Sequence, residues 1–445
     1  MTAFDYVSAV TGAVLGAFFV TFAVSSVREG RPRAVVASLV LAAASVAIFI
    51  GGAFWDSRPS WLLEFLTGLT WLGALLYFLP IGVTRGMEIG DITEQVDERT
   101  TMFAREEYQP GSHEYEQYYQ RHPEHKKFDD RLRELPPLMT PGGRYYDSGK
   151  AASIQETFRA IAGMTDKVDG EVAPERVEVD SAIMTARIKE KLFGMGAAEV
   201  GVARLNPALV YSHVGRGPEP WGKRIELNHR NAIVYTLEMD YHRVESAPDI
   251  PVTEESARQY LRAANISIEL ATWIRGQGWP ARAHISDSNY QIVLPAVAHD
   301  AGLGEISRMG YLISRRFGPR VRLGAVTTNL PLTVDGPVAF GVQDFCQRCL
   351  KCAVNCPSRA IPTGDKVDVR GVVKWPLDVG RCIWYWRVAG TDCGLCMRVC
   401  PYSHPPTLMH RIARRGIERS AFARIVSVWG DDLFYGRRLR YPESN

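Results

Sequence analysis

The sequence predicts a protein of three parts: a transmembrane anchor, a mixed α+β or α/β domain and a small cysteine-rich metal domain. Three observations support this division. The first 83 residues are far more apolar than the rest, residues 151–335 alternate helical and strand patterns, and all eight cysteines lie between Cys346 and Cys400. A chain of 445 residues allows about three domains. Lys and Arg number 52 against 49 Asp and Glu, a balance that excludes a nucleic-acid binder.

Three apolar runs near the N-terminus have the length of membrane-spanning helices. They cover Tyr6–Val27, Ala34–Trp55 and Trp61–Val83, and their only charged side chain is Glu64. An intramembrane carboxylate is a candidate functional group, although Glu64 sits near a span end. A cleaved signal peptide and buried core helices are the alternatives. Because a signal peptide has one apolar core behind a basic leader, and the leader MTAFD is acidic, we predict a three-helix anchor over residues 1–85.

The arginines of the short loops predict the orientation of this anchor. The first loop contains Arg28, Arg31 and Arg33. The second loop contains only Arg58, beside an aspartate, and Arg85 follows the third run. Positive charge favours the cytoplasmic side, so the first loop and everything after Arg85 should be cytoplasmic. The first run has no twin-arginine export signal before it. We expect a multi-pass protein of the cell inner membrane whose catalytic domain faces the cytoplasm.

Polarity and periodicity divide the rest of the chain. Residues 86–150 are polar but rich in tyrosine, which predicts short helices wrapped on another domain. Residues 151–335 should form a domain with a sizeable core. Residues 336–410 hold the cysteines, and residues 411–445 form a C-terminal tail.

Individual elements can be predicted within residues 151–335. We expect a helix over Ser181–Met195, strands over Glu199–Arg204 and Asn231–Leu237, and further strands at "ARAHI" and "YQIVLP". Another helix should run from Thr253, an N-cap candidate, to about Arg275, before Gly276 and Gly278.

The cysteine spacing is the strongest indication of chemistry. The first motif is C-x2-C-x2-C-x3-C-P, the bacterial ferredoxin spacing for a [4Fe–4S] cluster, and the second is the same motif with a longer first gap. Three thiolates wrap one cluster, and the fourth cysteine, on the following helix, points to the other. The predicted ligands are Cys346, Cys349, Cys352 and Cys400 for cluster 1, and Cys356, Cys382, Cys393 and Cys396 for cluster 2. Two zinc sites are the alternative, but zinc ligands usually come as separated CxxC pairs.

Two clusters in series carry electrons, so the redox chemistry should lie in residues 151–335. That region has no GxGxxG dinucleotide fingerprint and no haem CxxCH motif. Asp240-Tyr-His242 begins like the D-x-H-x-x-G signature that places a histidine on cobalt. Glu245 stands where glycine is needed, so we treat this match as coincidence.

The stretch "AGLGEISRMGYLISRRFGPRVRLGAVTTNLPL" (Ala301–Leu332), followed by the double cysteine motif, resembles the corrinoid-dependent reductive dehalogenases. The resemblance covers roughly residues 95–410, including "DERTTMFAREEY" and "AIVYTLEMDYH". Epoxyqueuosine reductases are similar to a lesser degree. Two departures matter: this family typically carries a twin-arginine leader and docks on a separate membrane subunit, whereas here three spans are fused to the catalytic part.

The resemblance implies a nitroreductase-like domain that binds base-off cobalamin, with no histidine on cobalt and a tyrosine as proton donor. Our match for the tyrosine is Tyr260, with Tyr241 and Tyr290 as rivals. Ser256 lies one turn earlier on the same helix face. A phenol needs a nearby cation to stabilise its phenolate.

The remaining site residues are matches of the same kind. For the polar group beside the phenol we take Asn289, and for the cation Arg322 or Arg320, which share one face if the segment is extended. Glycines permit close approach to a flat macrocycle. The expected corrin contacts are Ser256, Gly302, Gly304, Arg308, Gly310, Thr327, Thr328 and Asn329.

The function expected from this resemblance is reductive removal of halide from an organohalide. The expected partners are a small organohalide, membrane lipid and a low-potential electron donor, such as ferredoxin, flavodoxin or a membrane quinol system. Two alternatives stay open. One is another corrinoid reductase of the epoxyqueuosine type, and the other is a non-catalytic membrane ferredoxin that relays electrons.

Overall fold

The structure is a computed structural model that describes residues 2–55, 60–286 and 290–439. The chain forms two compact units. The first consists of Met1–Gly86, Phe340–Lys351 and His404–Asn445, and the second of Met87–Ala339 and Cys352–Ser403. Arg58, one of the arginines from which the orientation is predicted, lies outside the described residues.

The α-helices are numbered in chain order. They are α1 (Ala3–Arg28), α2 (Pro32–Ser45), α3 (Ser60–Phe78), α4 (Met102–Arg105), α5 (His113–Arg121), α6 (Pro123–Arg133), α7 (Ser148–Ala162), α8 (Ser181–Gly194), α9 (Tyr241–Glu245), α10 (Pro251–Gly276), α11 (Leu294–Asp300), α12 (Val342–Cys349), α13 (Lys351–Val354), α14 (Val379–Ala389), α15 (Leu395–Arg398), α16 (Leu408–Arg419) and α17 (Ala421–Tyr435).

The strands follow the same order. They are β1 (Glu88–Ile89), β2 (Glu199–Arg204), β3 (Asn231–Glu238), β4 (Ala281–His284), β5 (Gly304–Ile306), β6 (Leu312–Ser314), β7 (Val321–Thr328), β8 (Val367–Val369) and β9 (Val372–Lys374).

The first unit contains three helices that are long and apolar enough to cross a membrane, as the sequence predicts. They are α1, α2 with the π-helical turn Val46–Gly51, and Trp61–Phe78 of α3. Gly12 of α1 packs tightly on this π-helical turn, because a Cβ there would lie 2.8 Å from Cβ of Phe49. The outward side chains of these helices are mainly apolar and exposed, as expected of surfaces that meet lipid.

The segment expected as a tail instead forms α16 and α17, which pack within the first unit. Arg424 of α17 is fully buried. Its guanidinium donates to the carbonyl of Ile417 (2.9 Å), to Oγ1 of Thr84 (2.6 Å) and to Oδ2 of Asp344 (3.1 Å). Arg424 therefore ties together the exit of the third span, the cysteine-bearing helix α12 and the C-terminal helices.

The second unit is built on a four-stranded sheet with the order β2-β3-β7-β4. Every neighbouring pair is antiparallel, so the domain is α+β and not α/β. The predicted strand Glu199–Arg204 has these bounds in the structure. The helices α8 and α10 pack on one face of the sheet and α11 packs on the other, and both faces of β3 are buried.

Two local expectations are corrected. The helix α10 begins at Pro251 and not at Thr253, because proline fits the first helical position, where no amide donor is needed. The stretch "YQIVLP" forms only an isolated bridge between Val210 and Ile292 before α11 begins at Leu294.

Candidate active site

Four cysteines of the second unit line one pocket. They are Cys356, Cys382, Cys393 and Cys396, the set that the spacing assigns to cluster 2. All eight cysteines of the chain are free of disulfides. Cys393 has a φ of 59° and Gly394 a φ of 69°, so this left-handed turn brings the chain back to the pocket before α15. The donor set fits an iron–sulfur cluster, because four thiols converge on a pocket that is otherwise mainly apolar.

Burial governs the acidity of these thiols. It raises the pKa of Cys382 to about 12, with the neighbouring Cys356 adding to the effect, and it raises the pKa of Cys396 well above its usual value. Such thiols lose their protons when metal binds, since only thiolates are ligands. Of the other four cysteines, Cys346 and Cys349 belong to the first unit and Cys352 and Cys400 to the second, so their grouping as cluster 1 stays a prediction.

A polar cluster adjoins the cysteine pocket. Arg322, the second residue of β7, places its guanidinium carbon 5.2 Å from the ring centroid of Tyr260. Its Nη2 donates to Oγ of Ser256 at 2.6 Å and lies 3.3 Å from Oδ2 of Asp392. Ser256 and Tyr260 are one turn apart on α10 and therefore face the same strand. The sequence-predicted pairing of tyrosine, serine and Arg322 is thus present in the structure.

Asp392 connects this cluster to the cysteines. It precedes Cys393 and lines the cysteine pocket. Its Oδ2 accepts from Ser256 at 2.6 Å and its Oδ1 from Oγ1 of Thr253 at 2.8 Å. Because both oxygens of Asp392 accept hydrogen bonds, the carboxylate is held in one position. It therefore also fixes the position of the Arg322 guanidinium that it faces. We refer to Ser256, Tyr260, Arg322 and Asp392 as the tyrosine–arginine cluster.

The sequence reasoning missed Asp392, Thr253 and Tyr311. Tyr311 lines the cysteine pocket, and burial raises its pKa well above the usual value. The one signal that could have indicated Asp392 was its place beside a cluster ligand. No periodicity links it to Ser256, which lies 136 positions earlier.

The rival tyrosines lie in different settings. Burial raises the pKa of Tyr290 well above its usual value, and its hydroxyl donates to the carbonyl of Leu323 at 3.5 Å. Tyr241 lies beside Arg320, with 5.6 Å from the guanidinium carbon to its ring. Arg322 partly opposes the rise in the pKa of Tyr290, so it interacts with both phenols, and Tyr260 is the candidate whose ring lies 5.2 Å from its guanidinium carbon. Asn289 lies outside the described residues.

The expectation that Arg320 and Arg322 both approach one ligand stays a prediction. Arg320 is fully buried and lies one residue before β7, where its carbonyl accepts from the amide of Met239 at 2.9 Å. Its Nη1 donates to the carbonyl of Met239 at 2.6 Å and to Glu238 at 3.3 Å, and its Nε donates to the carbonyl of Ser403. Its Nη2 is buried without a hydrogen-bond partner within the described residues, as Nε of Arg322 is, so the contact with Tyr260 is what favours Arg322 as the cation beside the phenol.

Arg308 is bound to the protein itself. Its Nη1 donates to the carbonyls of Pro362 (2.9 Å) and Gly364 (2.8 Å), and its guanidinium carbon lies 4.5 Å from the ring of Trp375. Three other predicted corrin contacts, Thr327, Thr328 and Asn329, also form hydrogen bonds within the protein. Thr327 is hydrogen-bonded to His229 and His284, Thr328 donates to the carbonyl of Pro280, and Asn329 accepts from the amide of Arg230.

Packing within the fold explains why glycine is needed at the positions predicted to contact the corrin. A Cβ at Gly304 would overlap the carbonyl oxygen of Ile313, and one at Gly302 would lie 2.6 Å from that of Gly336. Gly310 has a φ of 77° and faces Leu377. The close approach that these glycines permit is thus to neighbouring protein, and a role toward a corrin stays a prediction.

We therefore expect Gly304→Ala to destabilise the fold, because the added methyl group meets a backbone carbonyl that has no room to move. Overpacking of this kind costs about 1–3 kcal/mol, visible as a lower melting temperature. Gly194→Ala in α8 is the matched control, since its Cβ meets nothing within 4 Å. An unchanged melting temperature with weakened corrinoid binding would instead assign Gly304 to the cofactor.

This fold and site define an oxidoreductase of the iron–sulfur class, and comparisons with known proteins agree. Residues 345–404 match the 4Fe-4S dicluster domain family. The chain is 31% identical over 299 residues to the tetrachloroethene reductive dehalogenase of Sulfurospirillum multivorans, covering 59% of each chain. An epoxyqueuosine reductase of Atelocyanobacterium thalassa is 31% identical, but over only 29% of this chain and 43% of its own.

Similar solved structures also include reductive dehalogenases. A variant of the catabolic reductive dehalogenase NpRdhA matches 80% of this chain and 48% of its own at 27% identity, with a TM-score of 0.65. NpRdhA in complex with 3-bromo-4-hydroxybenzoic acid matches 88% of this chain and 54% of its own at 25% identity, with a TM-score of 0.65. By sequence and by fold, the chain is related to the reductive dehalogenases. It spans 59% of the length of the Sulfurospirillum relative and about half of NpRdhA.

Proposed function

We propose that the chain is a membrane-anchored reductive dehalogenase that uses cobalamin and two [4Fe–4S] clusters. The observation that carries the proposal is the tyrosine–arginine cluster, which shares Asp392 with the cysteine pocket in a chain related to these enzymes. A proton donor and an electron carrier must meet at one place for reductive dehalogenation. The contact of Asp392 with both the tyrosine–arginine cluster and the cysteine pocket supports this proposal.

Cobalamin would supply a strongly reducing, nucleophilic cobalt centre beside this cluster. One observation fits a polar cofactor at this place. Nε of Arg322 is buried and has no hydrogen-bond partner within the described residues, so it could donate to a bound group. We propose that Tyr260 and Arg322 border the cofactor and substrate. The corrin contacts implied by the resemblance are carried forward with them: Ser256, Gly302, Gly304, Arg308, Gly310, Thr327, Thr328 and Asn329.

The reaction balances as R–X plus two electrons and one proton, giving R–H and X⁻. Tyr260 holds the proton at its phenolic oxygen and delivers it to the substrate carbon as the carbon–halogen bond breaks. Arg322 stabilises the phenolate that remains, since an adjacent cation favours the charged form of an acid. Ser256 and Asp392 orient Arg322 through the hydrogen bond and ion pair that they form with its guanidinium.

The electrons would reach this site through the clusters. Cluster 2 adjoins the tyrosine–arginine cluster, so we assign it as the cluster that serves the active site and cluster 1 as the entry point. The donor would be ferredoxin, flavodoxin or a membrane quinol. The three apolar helices would anchor the chain in the cell inner membrane, and the arginines near the ends of α1 and α2, Arg28, Arg31 and Arg33, favour a cytoplasmic position for the catalytic domain.

Halide release tests the proposal. The anaerobically purified, corrinoid-supplemented full chain, given a low-potential reductant, should release halide from members of a panel of chlorinated and brominated alkenes and phenols. Reduction of an epoxide substrate without halide release would favour a reductase of the epoxyqueuosine type. Reduction of the clusters with no turnover of either substrate class would favour an electron relay.

Cys356→Ala tests the ligand exchange between the two motifs. Cys356 belongs to the first motif but lines the pocket of cluster 2. We expect the variant to lose or convert the cluster-2 signal in electron paramagnetic resonance spectra, while the cluster-1 signal stays. Cys352→Ala is the matched control and should do the reverse. A change confined to cluster 1 in Cys356→Ala would show that the assigned exchange is wrong.

A further inference from the structure

A second set of potential metal ligands lies in the first unit and contains no cysteine. Glu29 follows α1, His404 precedes α16, and His410 belongs to α16. Each is at least nine-tenths buried, with exposed fractions of 5%, 7% and 7%. One ligand atom from each lies within 4.8 Å of the others.

The hydrogen bonds of His404 determine which of its nitrogens can bind a metal. Its Nε2 lies 3.3 Å from Oδ1 of Asp431, and Asp431 is itself paired with Lys351. Because an ionised carboxylate only accepts, the hydrogen-bond network assigns the imidazole proton to Nε2. A neutral imidazole has only one N–H, so Nδ1 of His404 presents a lone pair.

That lone pair is directed at another acceptor. Nδ1 of His404 is buried without a hydrogen-bond partner within the described residues, and it lies 3.8 Å from Oε2 of Glu29. Glu29 is itself buried, with an exposed fraction of 5%. A lone pair facing a buried carboxylate is unfavourable unless a positive charge lies between them.

The surrounding atoms complete a ligand set. Nε2 of His410 lies 2.9 Å from Oε1 of Glu29, and the hydroxyl of Tyr435 lies 3.3 Å from both Nε2 of His410 and Oε2 of Glu29. Two imidazoles, one carboxylate and a neighbouring phenol suit zinc and other first-row transition ions, whereas calcium and magnesium prefer oxygen alone. Asp431 accepts from the far side of the His404 ring, where a carboxylate commonly orients a metal-binding histidine.

We propose that Glu29, His404 and His410 bind one divalent first-row transition-metal ion, with zinc as the best-suited ion. The ion replaces the proton on Nε2 of His410 that Glu29 now faces, and because the rings of His404 and His410 are stacked at 4.6 Å and 9°, one ring must tilt until both nitrogens face the ion. The bound ion would fasten the end of the first span to α16. Its role is structural, since all three ligands are buried.

Zinc content tests the site, because neither the iron–sulfur clusters nor cobalamin contains zinc. The full chain in detergent, with its iron–sulfur clusters fully loaded, is equilibrated with zinc, desalted and analysed for metals. We expect about one tightly held zinc per chain, and a higher melting temperature with zinc than after chelation. His404→Gln and His410→Gln should each abolish both effects, while Glu29→Gln serves if a histidine variant fails to fold.

His122→Gln is the matched control, since His122, Glu124 and His125 form a more exposed group that zinc could occupy adventitiously. This variant should keep the zinc and the thermal shift. Loss of zinc in His122→Gln but not in His404→Gln would overturn the proposal, as would iron-replete wild-type protein that retains no zinc. Zinc must therefore displace any other ion from the site during the equilibration, and retention of zinc is the result that decides.

Discussion

Replacing Tyr260 by phenylalanine is expected to lower dehalogenation turnover at least about 100-fold, the lower range for removal of a general acid. Phenylalanine keeps the aromatic ring that faces Arg322 at 5.2 Å, so the packing and the cation–π contact survive while the proton is lost. The measurement is halide release under saturating reductant. Corrinoid content must stay at the wild-type level, which separates loss of chemistry from loss of cofactor.

Tyr145→Phe is the matched control for this variant. Tyr145 also faces an arginine, with 5.6 Å from the guanidinium carbon of Arg144 to its ring, but it lies outside the tyrosine–arginine cluster. It should turn over at the wild-type rate. Normal turnover in Tyr260→Phe would remove this phenol from the mechanism and leave Tyr290 as the next candidate.

Replacing Arg322 by methionine should have a second large effect, on both stability and turnover. The change removes the cation that Asp392 faces, and breaking a buried ion pair costs about 3–5 kcal/mol. We expect the lower end of that range, because Asp392 keeps its hydrogen bonds from Ser256 and Thr253. The unfolding midpoint of the purified chain reports the stability, and halide release reports the activity.

The double variant Arg322→Met with Asp392→Asn separates these two effects. Removing both charges should restore most of the stability, since no unpaired charge remains, while turnover stays low because the phenolate has lost its cation. Arg322→Lys should keep the charge but lose the planar contact with Ser256 and Asp392. Recovery of turnover in the uncharged double variant would show that Arg322 acts only by holding the fold.

Much of this organisation could be predicted from local patterns. The apolar runs predicted the three span-length helices, the alternation predicted the bounds of β2, and the cysteine spacing predicted the four residues that line one pocket. Each of these signals depends on residues near one another in sequence. Apolar residues recur with a fixed period along helices and strands, so these elements can be recognised without knowledge of tertiary packing.

The remainder depends on contacts that no periodicity encodes. Asp392 meets Ser256 only because a cysteine loop folds onto α10. The guanidinium of Arg320 donates to the carbonyls of Met239 and Ser403, and these distant partners cannot be recognised from the sequence around it. The glycines near residue 304 were assigned to a cofactor because sequence cannot show that a carbonyl of their own fold fills the space.

The metal content of the protein tests the central claim most directly. The anaerobically purified, corrinoid-supplemented chain should contain about eight iron atoms for its two [4Fe–4S] clusters and about one cobalt for its cobalamin. The same preparation of Cys356→Ala should keep the cobalt and lose iron. About eight iron atoms with no cobalt in the wild-type chain would contradict the dehalogenase account and identify the protein as an electron relay.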